Sequence, residues 1–242
     1  MKHIILCLLL SLWGVKDALA WDHTYTDYDR FLKKEVRDGK INYAGIKKDP
    51  HELEAFIQKV ERLTEDELKG FPSSQAIAFW INVYNAFTVK LILEHYPVKS
   101  IRDIESPWKR KFIKTAGRTL SLDEIENEIL RSKFNEPRIH FALVCAAQSC
   151  PELRPFAYRA DQLEKQLEES GSLFIRDTTR NKVIPDHENR IFLSQVFEWY
   201  GQDFRKSGKT LLDYLQKLGK IQFERSPQIG YLSYSWELNE RK

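Results

Sequence analysis

The stretch Ala78-Phe79-Trp80-Ile81-Asn82-Val83-Tyr84-Asn85-Ala86-Phe87 lies at the centre of the longest helical pattern in the chain. Ser73 or Ser74 is placed to cap this helix, and Pro97 ends it after about Tyr96. The run is apolar except for its two asparagines. We therefore expect a helix that is buried on most of its surface, with both amides inside the protein.

The amide side chains of this helix need a specific explanation, because asparagine is a mediocre helix former. At 3.6 residues per turn, Gln75, Asn82 and Asn85 fall within one arc of the helix. They either line a polar cleft, or orient a catalytic histidine, or bond to the backbone of neighbouring loops. Buried amides most often bond to loop backbone, and the lining of a polar cleft is the functional alternative.

On both sides of this helix, apolar spacing and capping residues predict a series of shorter elements. The predicted helices are 28–36, one from about residue 50, a short one capped by Thr64, 122–130, 160–169, 194–205 and 210–218. The predicted strands are a hairpin over 111–120, a buried strand at 139–145, a hairpin of 182–184 with 190–193, and a closing strand at 229–236. Because no βαβ alternation is present, the predicted fold class is α+β, with a helical N-terminal part packed on a small, mainly antiparallel sheet.

The first twenty residues have the pattern of a signal peptide. A short basic start precedes an apolar run at 4–15, and Ala18-Leu19-Ala20 supplies the small residues that a signal peptidase reads. The run is shorter than the ~20 residues that span a bilayer. We expect cleavage near Ala20, which removes Cys7 and leaves residues 21–242 as a single globular domain, periplasmic or secreted.

The composition of the remaining chain argues against several classes of function. Removing residues 1–20 takes away two lysines and one aspartate, so the net charge falls from +3 to about +2. This near balance, without a basic cluster, argues against nucleic-acid binding. No later apolar run approaches the length of a membrane span. The aromatic content of 12% indicates a packed domain rather than a disordered one.

The segment 138–151, RIHFALVCAAQSCP, holds both cysteines that the cleaved chain would keep. If residues 139–145 form a strand, His140 and Cys145 point to opposite faces of it. Cys150 lies at a possible helix start, because Ser149-x-x-Glu152 resembles a capping box. A helix N-terminus stabilises a thiolate, which favours Cys150 as the more reactive cysteine.

Four interpretations of Cys145 and Cys150 stay open. In an exported protein with two cysteines, a disulfide bond between them is the most common outcome. In the catalytic alternative, Cys150 is a nucleophile and His140 its base. A zinc site is the least supported of the specific interpretations, since two cysteines and one histidine lack the paired spacing typical of such sites. Inert free thiols are the fourth. We expect no metal and no cofactor.

The segment 120–127, LSLDEIEN, adds another candidate residue. Its acidic side chains suit the first turn of a helix, where the helix dipole favours negative charge. A general acid or base role for Glu126 is the functional alternative.

Several of these motifs, in this order, resemble the domain of unknown function 547 family. The segments that carry the resemblance are 78–86, 95–104, 117–126, 137–151 and 194–204. The resemblance extends from about Ile41 towards the C-terminus, with a family core at about 41–205. It implies a site that contains Glu126, His140 and Cys150. Papain-like or transglutaminase-like thiol hydrolases are the enzyme analogy that it suggests, for the fold and for the chemistry.

Two positions depart from the family pattern. A histidine commonly follows the Ile-Glu pair in the family, whereas this chain has Asn127. If that histidine is the family's base, this chain has lost it. The family also often has asparagine where this chain has Val144, beside Cys145.

These observations lead to two alternative functions. In the first, a disulfide holds the polar cleft of an extracytoplasmic domain that binds a small-molecule or peptide ligand. The expected cleft residues are Gln75, Asn82, Asn85, Cys145 and Ser149. In the second, Cys150 is the nucleophile, His140 the base and Glu126 or Asn82 the group that orients the base. That site would be a thiol-dependent hydrolase or acyltransferase acting on peptide or amide bonds.

Overall fold

Short helices account for most of the regular structure. The computed structural model describes residues 21–206 and 208–241, so the signal peptide predicted at 1–20, with Cys7, lies outside the described residues. The helices, in chain order, are α1 (Thr26–Glu35), α2 (Tyr43–Lys48), α3 (His51–Arg62), α4 (Glu65–Lys69), α5 (Ser73–His95), α6 (Arg131–Lys133), α7 (Leu163–Arg176), α8 (Gln195–Trp199) and α9 (Leu211–Gly219). A π-helix (Glu124–Leu130) runs directly into α6, and 3-10 helices lie at Ile101–Asp103, Pro137–Phe141 and Asp203–Arg205.

The central helix is α5, as its apolar run predicts. Between Ile77 and Leu93, Lys90 is the one residue that is not buried. Helices α2 and α3 and the π-helix pack around it. By length and composition α5 could cross a membrane, which corrects the expectation that no apolar run after residue 20 approaches that length, but 89% of its most apolar window is buried inside the fold. Such burial is typical of the core helix of a globular domain.

The strands form three separate pairs rather than one sheet. They are β1 (Val36–Arg37), β2 (Lys40–Ile41), β3 (Ile113–Thr115), β4 (Arg118–Leu120), β5 (Arg190–Leu193) and β6 (Gln228–Tyr231). The pairs β1–β2 and β3–β4 are antiparallel, whereas β5 and β6 are parallel. The predicted hairpin over 111–120 is present, with positive φ at both turn residues, Ala116 and Gly117. The α+β class is therefore confirmed.

Two hydrophobic cores meet in this fold. The larger one contains the buried faces of α1, α3 and α5 together with residues such as Leu143. The smaller one is built around Phe141, Phe174 and Phe197 and includes α9. Tyr234, in the C-terminal segment after β6, packs against both cores. The candidate site lies where they meet.

The strand predicted at 139–145 is wrong. Pro137 occupies the first turn of a 3-10 helix, which Glu136 caps with its side chain. Beyond this helix, the side chain of Asn85 bonds to the carbonyl of Ala142 and to the N–H of Val144. These backbone groups are therefore not free for the ladder that a strand requires.

Other elements also differ from their predicted form. The hairpin of 182–184 with 190–193 is reduced to one bridge, Lys182 with Phe192, because β5 pairs with β6. The helix predicted at 194–205 ends at Trp199 and resumes as a 3-10 turn at Asp203. The helix at 122–130 is a π-helix over most of its length, and α7 lies three to seven residues later than predicted. The closing strand ends at Tyr231.

Candidate functional site

A cavity of about 520 Å³ opens where the two cores meet. Its volume falls within the range of ~300–1,000 Å³ that is usual for small-molecule sites. Six aromatic residues line it, together with Asp123, Glu126, His140 and both cysteines. The aromatic residues are Tyr84, Trp108, Trp199, Tyr200, Tyr234 and Trp236.

His140 is fixed in the cavity wall by a buried hydrogen bond. It lies near the end of the 3-10 helix and is only 3% exposed. Its Nε2 is 2.8 Å from Oδ2 of Asp203, and its ring stacks on Tyr200 with the centroids 3.8 Å apart. Burial lowers the pKa of His140, an effect that the hydrogen bond to Asp203 opposes. The imidazole is therefore neutral at pH 7.

Asp203 is the anion that orients this imidazole. Nε of Arg131 lies 2.5 Å from Oδ2, and Nζ of Lys206 lies 2.7 Å from Oδ1. Burial raises the pKa of Asp203, but hydrogen bonds from His140 and Arg131 and the ion pair with Lys206 outweigh it and hold the pKa well below its usual range. Because ionised Asp203 only accepts, Nε2 of His140 must donate, and Nδ1 of the neutral ring carries the free lone pair.

Cys145 and Cys150 line the cavity with their sulfur atoms 2.15 Å apart, which is disulfide-bonding distance. The hydroxyl of Tyr234 lies 3.3 Å from Sγ of Cys145 and 3.1 Å from Sγ of Cys150. Arg180 also donates from its guanidinium to the carbonyls of Cys150 and Gln148, at 2.8 Å each. The loop that carries the two cysteines is therefore held by both Tyr234 and Arg180.

Glu126 brings a buried carboxyl group to the cavity. It belongs to the π-helix and is 8% exposed. The Ser121–Glu124 capping box predicted at the start of this segment is present. The hydroxyl of Tyr84 donates to Oε2 of Glu126 over 3.4 Å, a long hydrogen bond. Within residues 21–206 and 208–241, Glu126 forms no ion pair, and no three His, Cys, Asp or Glu side chains are grouped to hold a metal ion.

Residues 68–175 match the model of the family described as protein of unknown function, DUF547. The chain contains a domain of this family. The resemblance seen in the sequence motifs is thereby confirmed over the matched residues. No curated protein and no solved structure matches the chain.

The segment matched to DUF547 supplies only part of the cavity. Glu126, His140 and the two cysteines lie inside it. Asp203, which orients His140, lies beyond its end, as do four of the six aromatic residues of the wall. The site is therefore completed by the part of the chain that follows residue 175.

The position at which the resemblance led us to expect a histidine is also part of this wall. Its occupant, Asn127, donates from Nδ2 to Asp123 Oδ1 at 2.9 Å and accepts from Arg131. An amide side chain cannot take up a proton at neutral pH, so His140 is the histidine that this cavity offers as a base.

The amides of α5 do not line the cavity, which corrects the expectation of an asparagine-lined cleft. Asn82 bonds through both ends of its amide to the backbone of Tyr158, at 2.8 and 2.9 Å. Asn85 bonds in the same way to Ala142 and Val144, at 2.9 Å each. Gln75 is half-buried and also lies outside the cavity wall. The two asparagines therefore hold the backbone at Tyr158 and at residues 142–144 in place.

Cys150 does not begin a helix, so the predicted dipole effect on its thiol is wrong. Ser149, the expected cap, accepts a hydrogen bond from the backbone N–H of Ser235 at 2.8 Å. The chain after Pro151 then runs irregularly until α7 begins at Leu163. Ser149 therefore anchors the C-terminal segment and does not line the cavity.

Several residues of the site were not singled out from the sequence. Asp203 is one, because its partner His140 lies 63 residues away and no local pattern links them. The aromatic wall is another, because its rings come from separate elements. The pairs Trp199-Tyr200 and Tyr234-x-Trp236 were its only visible signal, since exposed loops and short helices rarely contain so many large rings.

Proposed function

We propose that this protein is an extracytoplasmic binding domain whose ligand occupies the aromatic cavity. The cavity supports this proposal because it combines a suitable volume, six aromatic rings and a small number of fixed polar groups. Its wall is held rigid by the paired cysteines and by Arg180. A preformed wall lowers the entropy that binding would otherwise cost.

Tryptophan fluorescence tests the proposal, because Trp108, Trp199 and Trp236 line the cavity. A panel of cationic, neutral and anionic small molecules and dipeptides is titrated into the wild type. Val196 also lines the cavity and is buried, so Val196→Trp is expected to fill it. At least one compound should bind with a Kd below 1 mM to the wild type and at least ~10-fold more weakly to this variant. Equal binding by both proteins would contradict the proposal.

A second function is supported by the hydrogen bond between His140 and Asp203. A histidine held by a carboxylate, in the same cavity as two sulfur atoms, is the arrangement that thiol hydrolases use. Because the sulfur atoms lie at bonding distance, such a site would act only after a dithiol reductant has supplied two electrons and two protons to release both thiols.

In the reduced protein, His140 Nδ1 would take the thiol proton of Cys150. The thiolate would then attack an amide carbonyl, the amine would leave with the proton from the imidazolium, and water would hydrolyse the thioester. The N–H of Cys145 and the hydroxyl of Tyr234, at 3.0 and 3.1 Å from the sulfur, would stabilise the thiolate.

Alkylation as a function of pH tests this second function. After reduction, Cys150 should react with iodoacetamide at lower pH than Cys145, and His140→Gln should abolish the difference. Hydrolysis of a peptide library should require the reductant and should be lost in Cys150→Ser. Equal alkylation profiles for the two thiols, together with no reductant-dependent cleavage, would exclude the thiol-hydrolase function.

A further inference from the structure

We propose that the ligand of the aromatic cavity is an organic cation, whose ammonium group sits against the carboxylate of Glu126 and the surrounding aromatic faces. This inference rests on the proposed binding function and names the class of ligand. A primary, tertiary or quaternary ammonium ion on a small organic body fits the chemistry of the wall.

The first argument is that Glu126 forms no ion pair within the described residues. A buried carboxylate is normally paired with a cation. The guanidinium of Arg131 attracts Glu126 electrostatically, but its hydrogen bonds go to Asp203 and Asn127. In the described part of the chain, the Glu126 carboxyl group has hydrogen-bond contacts with the hydroxyl of Tyr84, over 3.4 Å, and with that of Tyr200, but no ion pair. A ligand cation would supply the missing charge.

The second argument is the number of aromatic faces around the same space. Rings of tryptophan and tyrosine attract cations within about 6 Å of their centroids. Trp199 and Trp236 are stacked with centroids 5.9 Å apart, and Tyr234 lies 4.7 Å from Trp236. Trp199 is 46% exposed, an unusual exposure for a tryptophan. A bound cation would cover this surface.

The third argument is the balance of charge in the wall. Of the described residues that line the cavity, Asp123 and Glu126 are acidic, and Lys109, which is exposed, is the basic one. The chain as a whole has a net charge of +3, so the acidic character is local to the cavity. The guanidinium groups of Arg102 and Arg131 lie over the rings of Trp236 and Tyr200 but do not line the cavity. An anionic ligand would therefore meet two carboxyl groups, with Lys109 as the one cation of the described lining to oppose them.

Choline and its neutral isostere 3,3-dimethyl-1-butanol separate charge from shape, because they differ in one atom, nitrogen for carbon. Benzyltrimethylammonium is added as a larger cation. Each is titrated into the protein while tryptophan fluorescence is followed. At least one of the two cations should bind at least ~10-fold more tightly than the neutral isostere, and binding should weaken as salt rises.

Two variants of the π-helix provide the matched comparison. Glu126→Gln should weaken binding of the cation at least ~10-fold without changing the affinity for the neutral isostere. Glu128→Gln makes the same change at an exposed position two residues away and should bind like the wild type. Circular dichroism checks that both variants are folded. The ratio of the choline affinity to the isostere affinity is measured on the wild type alone, so it tests the proposal even if a variant does not fold.

The outcomes distinguish this inference from the binding function itself. If other compounds of the panel bind and Val196→Trp abolishes their binding, while cations show no preference over the neutral isostere, the organic-cation inference is overturned and the binding function stands. If Glu126→Gln binds cations like the wild type, the role of Glu126 is overturned. If no compound binds in the cavity, both fail.

Discussion

At the scale of single residues, the buried amide of Asn85 fixes the backbone conformation of a loop. Its Nδ2 donates to the carbonyl of Ala142 and its Oδ1 accepts from the N–H of Val144. Asn85→Asp keeps the shape but replaces the donor with an oxygen, so two acceptors face each other in the core. We expect a loss of about 3 kcal/mol in the free energy of unfolding, measured by urea denaturation.

Gln75 on the same helix provides the control for Asn85. It is half-buried and has no hydrogen bond to its amide within the described residues. Gln75→Glu makes the same change from amide to acid and should alter the free energy of unfolding by less than about 0.5 kcal/mol. Similar losses in the free energy of unfolding for Asn85→Asp and Gln75→Glu would contradict the role of Asn85 in holding the loop.

The buried imidazole of His140 predicts a dependence of stability on pH. Burial lowers the pKa of His140 from its ordinary 6.5, whereas the unfolded chain keeps that ordinary value. The unfolded state therefore binds more protons as the pH falls below about 6.5, so folding stability should fall, by up to about 1.4 kcal/mol per pH unit. Asp203, whose pKa is depressed in the folded state, adds a further loss below about pH 4, where the unfolded chain binds a proton that the folded chain does not.

His140→Gln should flatten the profile between pH 6.5 and 5, as measured by urea denaturation at each pH. His187→Gln is the control, because that side chain is 85% exposed and should leave the profile unchanged. An equally steep profile in His140→Gln would show that other groups cause the loss.

At the scale of elements, the contact of α7 with its neighbours positions His140. A Cβ added at Gly171 would lie 2.8 Å from Leu218 of α9 and 2.9 Å from Phe141, the residue after His140. An exposed glycine in a helix usually gains stability on replacement by alanine. Here the added methyl group overpacks the core, and Gly171→Ala should lose about 2 kcal/mol.

The neighbouring Ser172→Ala controls for helix propensity and should stay within about 0.5 kcal/mol of the wild type by urea denaturation. The added methyl group should displace Phe141, so Gly171→Ala should also change the fluorescence of the cavity tryptophans. Ser172→Ala should not. A neutral or stabilising Gly171→Ala would mean that α7 does not approach Phe141 so closely.

Elements that are specified by their own residues could be predicted from the sequence, whereas elements that depend on contacts with distant residues could not. The apolar run placed α5, and the hairpin at Ala116-Gly117 follows from its turn residues. The strand expected at 139–145 has strand-like composition, but Asn85 holds its backbone from another helix. The partner of β5 is β6, which lies 35 or more residues later, so a nearby hairpin was the wrong expectation.

The same distinction applies to the site at the scale of the whole molecule. Glu126, His140 and the two cysteines could be singled out because each lies in a recognisable motif, and the structure brings all four to one cavity. The asparagines looked equally suitable, but the direction of a side chain on a buried helix depends on packing that the sequence does not display. Asp203 could be connected to His140 only through the tertiary fold.

The C-terminal segment joins regions that are far apart in sequence, which gives the last prediction. Its backbone bonds at Leu238, Asn239 and Arg241 reach Lys99, Ala146 and Ile41. The side chain of Asn239 also accepts from the hydroxyl of a buried tyrosine, at 2.8 Å. A chain that ends at Glu237 loses these bonds and should lose about 4 kcal/mol or more in the free energy of unfolding.

Because Ala146 lies between the two cysteines, the same truncation should also expose them. Dithiothreitol should reduce the pair faster in the truncated chain, as followed by alkylation and mass spectrometry. Arg241→Ala is the control, since the contact of Arg241 with Ile41 is made by its backbone N–H, at 2.8 Å, and survives the substitution. It should match the wild type in stability and in the rate of reduction. A truncated chain that also matched the wild type would show that the C-terminal segment does not hold the wall of the cavity in place.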